Sequence, residues 1–249
     1  MRVVRVRYSE QTFYAAFHSD HVRPLDRNAD APESVPLEEV ALERPVHPTK
    51  VVCVGLNYHA HARELGREIP DEPLLFLKPP SAVIGPGEII RLPSQSGNVH
   101  YEGELAIVMG RYCRNAPAHE ASGHIFGYTC ANDVTARDLQ EKDVQYTRAK
   151  GFDTFCPLGP CIQTELDPGS GLTIRTQQNG EVRQQGSTAD MAFSPAELIS
   201  FISGIMALNP GDVILTGTPP GVGPLFSGDT ISVEIEGVGA LENGVLDRD

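Results

Sequence analysis

The stretch GNVHYEGELAIVMG, residues 97–110, together with YTCANDVTARD, residues 128–138, sets the architecture of the whole chain. The first piece has the pattern of a buried strand carrying Glu102 and Glu104. Residues i and i+2 of a strand point to one face, so the two carboxylates sit side by side next to the apolar run Leu105 to Met109. Such a pair repels, and it loses hydration on burial, unless a cation or a proton is shared between its members. Asp133 closes a second apolar segment, Ile125 to Ala131, where a strand stops and a helix or turn begins. Two strand carboxylates and one at a strand end form an all-oxygen donor set suited to a hard divalent ion, Mg²⁺ or Mn²⁺. Spacing alone leaves open a second reading, in which the glutamates line a solvated strand face.

Working outward, the chain of 249 residues is long enough for one large domain, or for a main domain with a small appendage. Hydrophobic residues make up 40%, enough for a substantial core. The formal net charge of -13 argues against nonspecific nucleic-acid binding, which needs a basic surface. It leaves small anionic substrates open, because local cations can override the global field. Five cysteines without a CxxC pair suggest a reduced, cytoplasmic protein. The alternating start, MRVVRVRYSE, does not resemble a signal peptide, and no apolar run is long enough to span a membrane. With 24 glycines and 20 prolines, the composition points to a turn-rich, mainly β protein with a few short helices, of α+β class.

Residues 1–49 read as a small β appendage followed by a Pro-, Asp- and Glu-rich linker from Asp26 to Lys50; residues 50–249 form the main domain. A short strand from Val51 to Gly55 precedes the helical candidate HAHARELG, residues 59–66. His61 and Glu64 share a face there, and Gly66 is a natural stop. The loop that follows suits a mobile lid; an ordinary surface helix is the alternative. Asn179-Gly180 marks a hairpin, and Ser194-Pro195 with Glu197 marks a helix start. The segment TGTPPGVG, residues 216–223, offers backbone N–H and hydroxyl groups to an oxyanion.

Taken together, several motifs in order resemble the fumarylacetoacetate hydrolase family, in its short members. They are VGLNY (54–58) with His61 and Glu64, FLKP (76–79), YEGEL (101–105), NDVTARD (132–138), FDTFCPLGP (152–160) and TGTPPGVG (216–223). The resemblance implies a mixed β-roll or barrel-like core and a homodimer. It implies Mg²⁺ or Mn²⁺ on Glu102, Glu104 and Asp133, and His61 with Glu64 as the water-activating pair. It places Lys150 at the substrate carboxylate or enolate, with Gln140, Gly217, Thr218 and Lys78 nearby. The implied substrate is a small 2-oxo or enol carboxylate, with no nucleic-acid or membrane partner. The implied reaction is hydrolysis of the C3–C4 bond of an acylpyruvate. Isomerisation of 2-hydroxyhepta-2,4-diene-1,7-dioate and oxaloacetate decarboxylation use the same enolate and remain open, as does a non-catalytic binding protein.

Overall fold

All seven residues of the strand Gly103–Met109 are buried. It is flanked on one side by Ile125–Asn132, with Glu104 opposite Ala131, and on the other by Val213–Leu215, with Ile107 opposite Ile214. Both of its faces are covered, which is why its apolar run does not alternate with polar residues. The computed structural model describes residues 1–26 and 32–248. Around this strand a long, mostly antiparallel sheet runs from Val35–Pro36 at one edge to Leu74–Lys78 at the other. Its one parallel step along this path joins Val213–Leu215 to Val51–Gly55. A five-stranded sheet includes the hairpin Thr173–Gln178 and Glu181–Ser187. The hairpin turns on Asn179 and Gly180, both at positive φ, the geometry a tight two-residue turn requires. A small third sheet joins Thr135–Ala136, Val99–Tyr101 and Gly223–Pro224. The architecture is mainly β with a few short helices, as the composition implies.

The glutamate stretch is not one continuous strand. Val99–Tyr101 belongs to the small sheet and Gly103–Met109 to the long one, and Glu102 occupies the break. The backbone bonds at the break explain it. The Glu102 N–H donates to the Asn132 side chain at 2.9 Å, and the Gly103 N–H to Gln184 Oε1 at 2.9 Å, so neither continues a strand ladder. Gly103 also has no room for a side chain: a Cβ there would lie 2.1 Å from Thr176 Oγ1. This glycine is one of the points where the long sheet and the five-stranded sheet make contact.

The first strands extend the long sheet. Arg2–Tyr8 pairs with Cys156–Gln163, and its Val4 and Val6 enter the largest hydrophobic cluster. Within the stretch expected as a linker, residues 27–31 lie outside the described residues. Beyond them Val35–Pro36 pairs with His21–Pro24, and Ala41–Glu43 with Arg2–Tyr8. The helix Pro195–Ile205 starts with the expected capping box, Ser194 and Glu197 exchanging bonds with each other's backbone. Its Leu198, Ile199 and Ile202 are buried in the same cluster, each contributing roughly 1.5–3 kcal/mol. All five cysteines are free and buried. Among the described residues no helix is long and apolar enough to cross a membrane.

Candidate active site

The break at Glu102 brings the acidic residues together. The Asp133 N–H donates to the Glu102 carbonyl at 2.8 Å, so the end of the Ile125–Asn132 strand is clamped beside the break. Glu104 follows on the strand proper, and its Oε2 accepts the Gly217 N–H at 2.7 Å. One carboxylate oxygen from each of Glu102, Glu104 and Asp133 lies within 4.8 Å of the other two, and all three residues are buried.

Cations surround the group unevenly. Lys150 Nζ donates to Glu102 Oε2 at 2.9 Å and to Asp133 Oδ2 at 2.6 Å. Lys78 Nζ donates to Asp133 Oδ1 at 2.5 Å and to the Val134 carbonyl at 2.9 Å. Arg137 pairs with Glu102 Oε1 and donates to Gln140 Oε1 at 2.9 Å. Burial pushes the Glu102 carboxyl up, but Arg137 and Lys150 outweigh it and hold it below the usual carboxylate range. Burial likewise opposes charge on Lys150, yet Asp133 and Glu102 keep its ammonium above the ordinary lysine value. Glu104 has no such partner: among the described residues no cation pairs with it. Burial, then Asp133 and then Glu102 push its carboxyl well above the usual range. The donor set therefore fits a divalent ion. It is all oxygen, buried and convergent, and one of its carboxylates lacks a counter-charge.

A cavity of about 410 Å³ opens over these acids. His61 lines it, carried by the short helix His59–Glu64. Its Nδ1 lies 2.9 Å from Glu64 Oε2, and Glu64 Oε1 accepts the Gly221 N–H at 3.0 Å. This helix is docked on the body of the protein. The Ala60 N–H donates to Asp190 Oδ2 at 2.8 Å, and Asn57 Nδ2 donates to the carbonyls of Phe193 and Thr216 at 3.0 and 2.8 Å. Asn57 packs so closely that a Cβ at Gly217, which has φ +94°, would lie 2.9 Å from the Asn57 Cβ. The Gly217 turn is thereby fixed beneath the helix.

Of the residues singled out in the sequence, Glu102, Glu104, Asp133, His61, Lys150, Gln140 and Thr218 line this one cavity. Glu64 holds His61 from outside the wall. Lys78 is fully buried behind Asp133, and Gly217 turns its N–H to Glu104, so neither faces the cavity. The Thr218 hydroxyl is already engaged, donating to the Gly103 carbonyl and accepting from Gln184, both at 2.8 Å. Arg137, within the motif NDVTARD, belongs to the site although the sequence pattern does not single it out. Its position four residues after Asp133 and three before Gln140, at the start of a helix, was the available signal. Arg67, Asn98 and His100 also line the cavity, and no local pattern marks them.

Fold and site together define a mainly β enzyme scaffold with a buried carboxylate triad under a histidine–glutamate pair. The family model Fumarylacetoacetate (FAA) hydrolase C-terminal matches residues 50–246, and the chain belongs to this enzyme family. It is 45% identical over 225 residues to the mitochondrial oxaloacetate tautomerase of Bos taurus, covering 85% of this chain and 71% of that one. Among solved structures it resembles 5-carboxymethyl-2-hydroxymuconate delta-isomerase from Mycobacterium smegmatis, with TM-score 0.93, 46% identity and full coverage of both chains. Maleylpyruvate hydrolase from Sphingobium, solved in complex with manganese(II) and pyruvate, has TM-score 0.85 and 31% identity, again with full coverage of both chains.

Proposed function

We propose that this protein is a Mg²⁺- or Mn²⁺-dependent hydrolase that cleaves the C3–C4 bond of an acylpyruvate. The observation that carries this reading is His61, held by Glu64, on the wall of the cavity whose floor is the acidic triad. Glu102, Glu104 and Asp133 would hold the divalent ion. When bound, the ion supplies a Lewis acid that favours negative charge on the 2-oxo group and acidifies the adjacent carbon.

The chain's own residues do the rest. Glu64 accepts the Nδ1–H of His61, which fixes the tautomer and leaves Nε2 as the basic nitrogen. His61 Nε2 takes a proton from water as the water oxygen bonds to the C4 carbonyl carbon. The C3–C4 bond then breaks, its electron pair passing into the enolate of the pyruvate half. Lys150, already within the acid cluster, adds positive charge close to where this negative charge grows. The proton returns from His61 to C3, so the products are pyruvate and a carboxylic acid. A homodimer belongs to the same proposal.

A second reading is keto–enol tautomerisation of a 2-oxo acid, favoured by the identity with the bovine oxaloacetate tautomerase. It uses His61 to move a proton at C3 and needs no attack by water. Product analysis with acetylpyruvate and Mg²⁺ separates the two. Hydrolysis predicts pyruvate and acetate, and a fall of roughly 10²–10⁴-fold for His61→Ala and Glu64→Gln. Rapid enol–keto exchange with no pyruvate released would favour tautomerisation instead.

A further inference from the structure

The triad lies at the buried floor of the cavity, and the rim is formed partly by the exposed segment that follows the His59–Glu64 helix. Arg67 stands on that segment and lines the cavity. The other two cations of the wall are committed: Lys150 to Glu102 and Asp133, and Arg137 to Glu102. Arg67 alone among them forms no ion pair within the described residues, although Glu141 lines the same cavity.

Size adds a second argument. About 410 Å³ corresponds to on the order of a dozen water volumes. The 2-oxo carboxylate head of a substrate fills only part of that. The wall left for the remainder is mixed: Leu65, Leu74 and Val222 are apolar, and Asn98, His100, Gln140 and Glu141 are polar. A wall with an apolar portion and one arginine without an ion pair suits a carbon chain that ends in an anion.

We infer that Arg67 is a specificity-determining residue that binds the far carboxylate of a 2-oxo dicarboxylic acid, its two acid groups separated by an apolar chain. This rests on reading the triad as the site of the 2-oxo carboxylate head. It narrows the acyl part of the substrate to one that itself carries a terminal carboxylate.

Matched ligands test it by binding rather than turnover. Titration calorimetry on the Mg²⁺-loaded protein would compare 2-oxoadipate with 2-oxohexanoate, which have the same chain length and differ in the terminal group. The wild-type protein should prefer 2-oxoadipate by about tenfold, the scale of one partly exposed charge-assisted contact. Arg67→Met should lose that preference and Arg67→Lys should keep part of it, with melting temperatures unchanged. No preference in the wild-type protein, or the same preference in Arg67→Met, would overturn the assignment. An equal loss for both ligands in Arg67→Met, reproduced by Glu141→Gln, would show an Arg67–Glu141 closing contact instead and would also overturn it. The hydrolase reading fails separately: if no acylpyruvate is cleaved but the Arg67-dependent preference stands, the specificity assignment survives without it. If neither ligand binds the loaded protein, both fall.

Discussion

Glu104→Gln is the perturbation that tests the acidic site most directly. Glutamine keeps an acceptor oxygen for the Gly217 N–H, so the bond at 2.7 Å survives and the strand–turn contact is preserved. It removes the one carboxyl of the three that has no cation partner and that burial and two neighbouring acids already hold high. Without metal, the variant should therefore melt at or slightly above the wild-type temperature, since a repulsion is relieved and no hydrogen bond is lost. With metal the order reverses. An ion at 100 times its dissociation constant stabilises the native state by about 2.7 kcal/mol. For a chain of this size that is a rise of roughly 5–11 °C. If losing one of three ligands weakens binding about 100-fold, the same ion concentration contributes only about 0.4 kcal/mol, or roughly 1–2 °C. Thermal melts of both proteins with Mg²⁺ and with Mn²⁺, each against a chelator control, read the difference. An undiminished metal-induced shift in Glu104→Gln would refute the ligand assignment. A large drop in its metal-free melting temperature would show that Glu104 serves the fold.

Two further outcomes follow from particular contacts. Gly103→Ala places a Cβ against Thr176 Oγ1 where two sheets meet, and should cost about 1–3 kcal/mol or more in denaturant unfolding; an unchanged midpoint would show that the sheets separate easily there. Asp212 is buried and accepts bonds from the Thr49 hydroxyl at 2.7 Å and the Asn209 N–H at 2.7 Å, and it pairs with Lys50. Burial alone would raise its carboxyl, but the Lys50 and Asn209 contacts outweigh it and hold it below the usual value. A depressed native value means the stabilisation is fully present above the unfolded value of about 3.9 and is lost as pH falls through the native one. Asp212→Asn should thus cost roughly 2–3 kcal/mol at pH 7, with the gap to wild type closing below about pH 4; a gap independent of pH would count against the ionised pairing.

The difference between what was legible in the sequence and what was not follows from the range of the interactions. The Asn179-Gly180 hairpin and the Ser194 capping box depend on residues within four positions of each other, and both form as their local pattern implies. The Glu102 and Glu104 pair was visible for the same reason, as a period-two pattern beside an apolar run. That pattern could not show the break at Glu102, because its cause is remote. Asn132 lies 30 residues away and Gln184 lies 81 residues from Gly103. Lys150 was placed at the substrate by family resemblance, and the structure adds what the motif does not carry: its ammonium is bound to two of the three acids. That arrangement has a chemical consequence. Lys78, Lys150 and Arg137 neutralise Glu102 and Asp133 from the protein side and leave Glu104 uncompensated, so a divalent ion arriving at the cluster finds its charge deficit on one identifiable side chain. Arg67 is legible only at a third level, since neither its neighbours in sequence nor a motif mark it, and its meaning arises from the other cations of the wall being occupied.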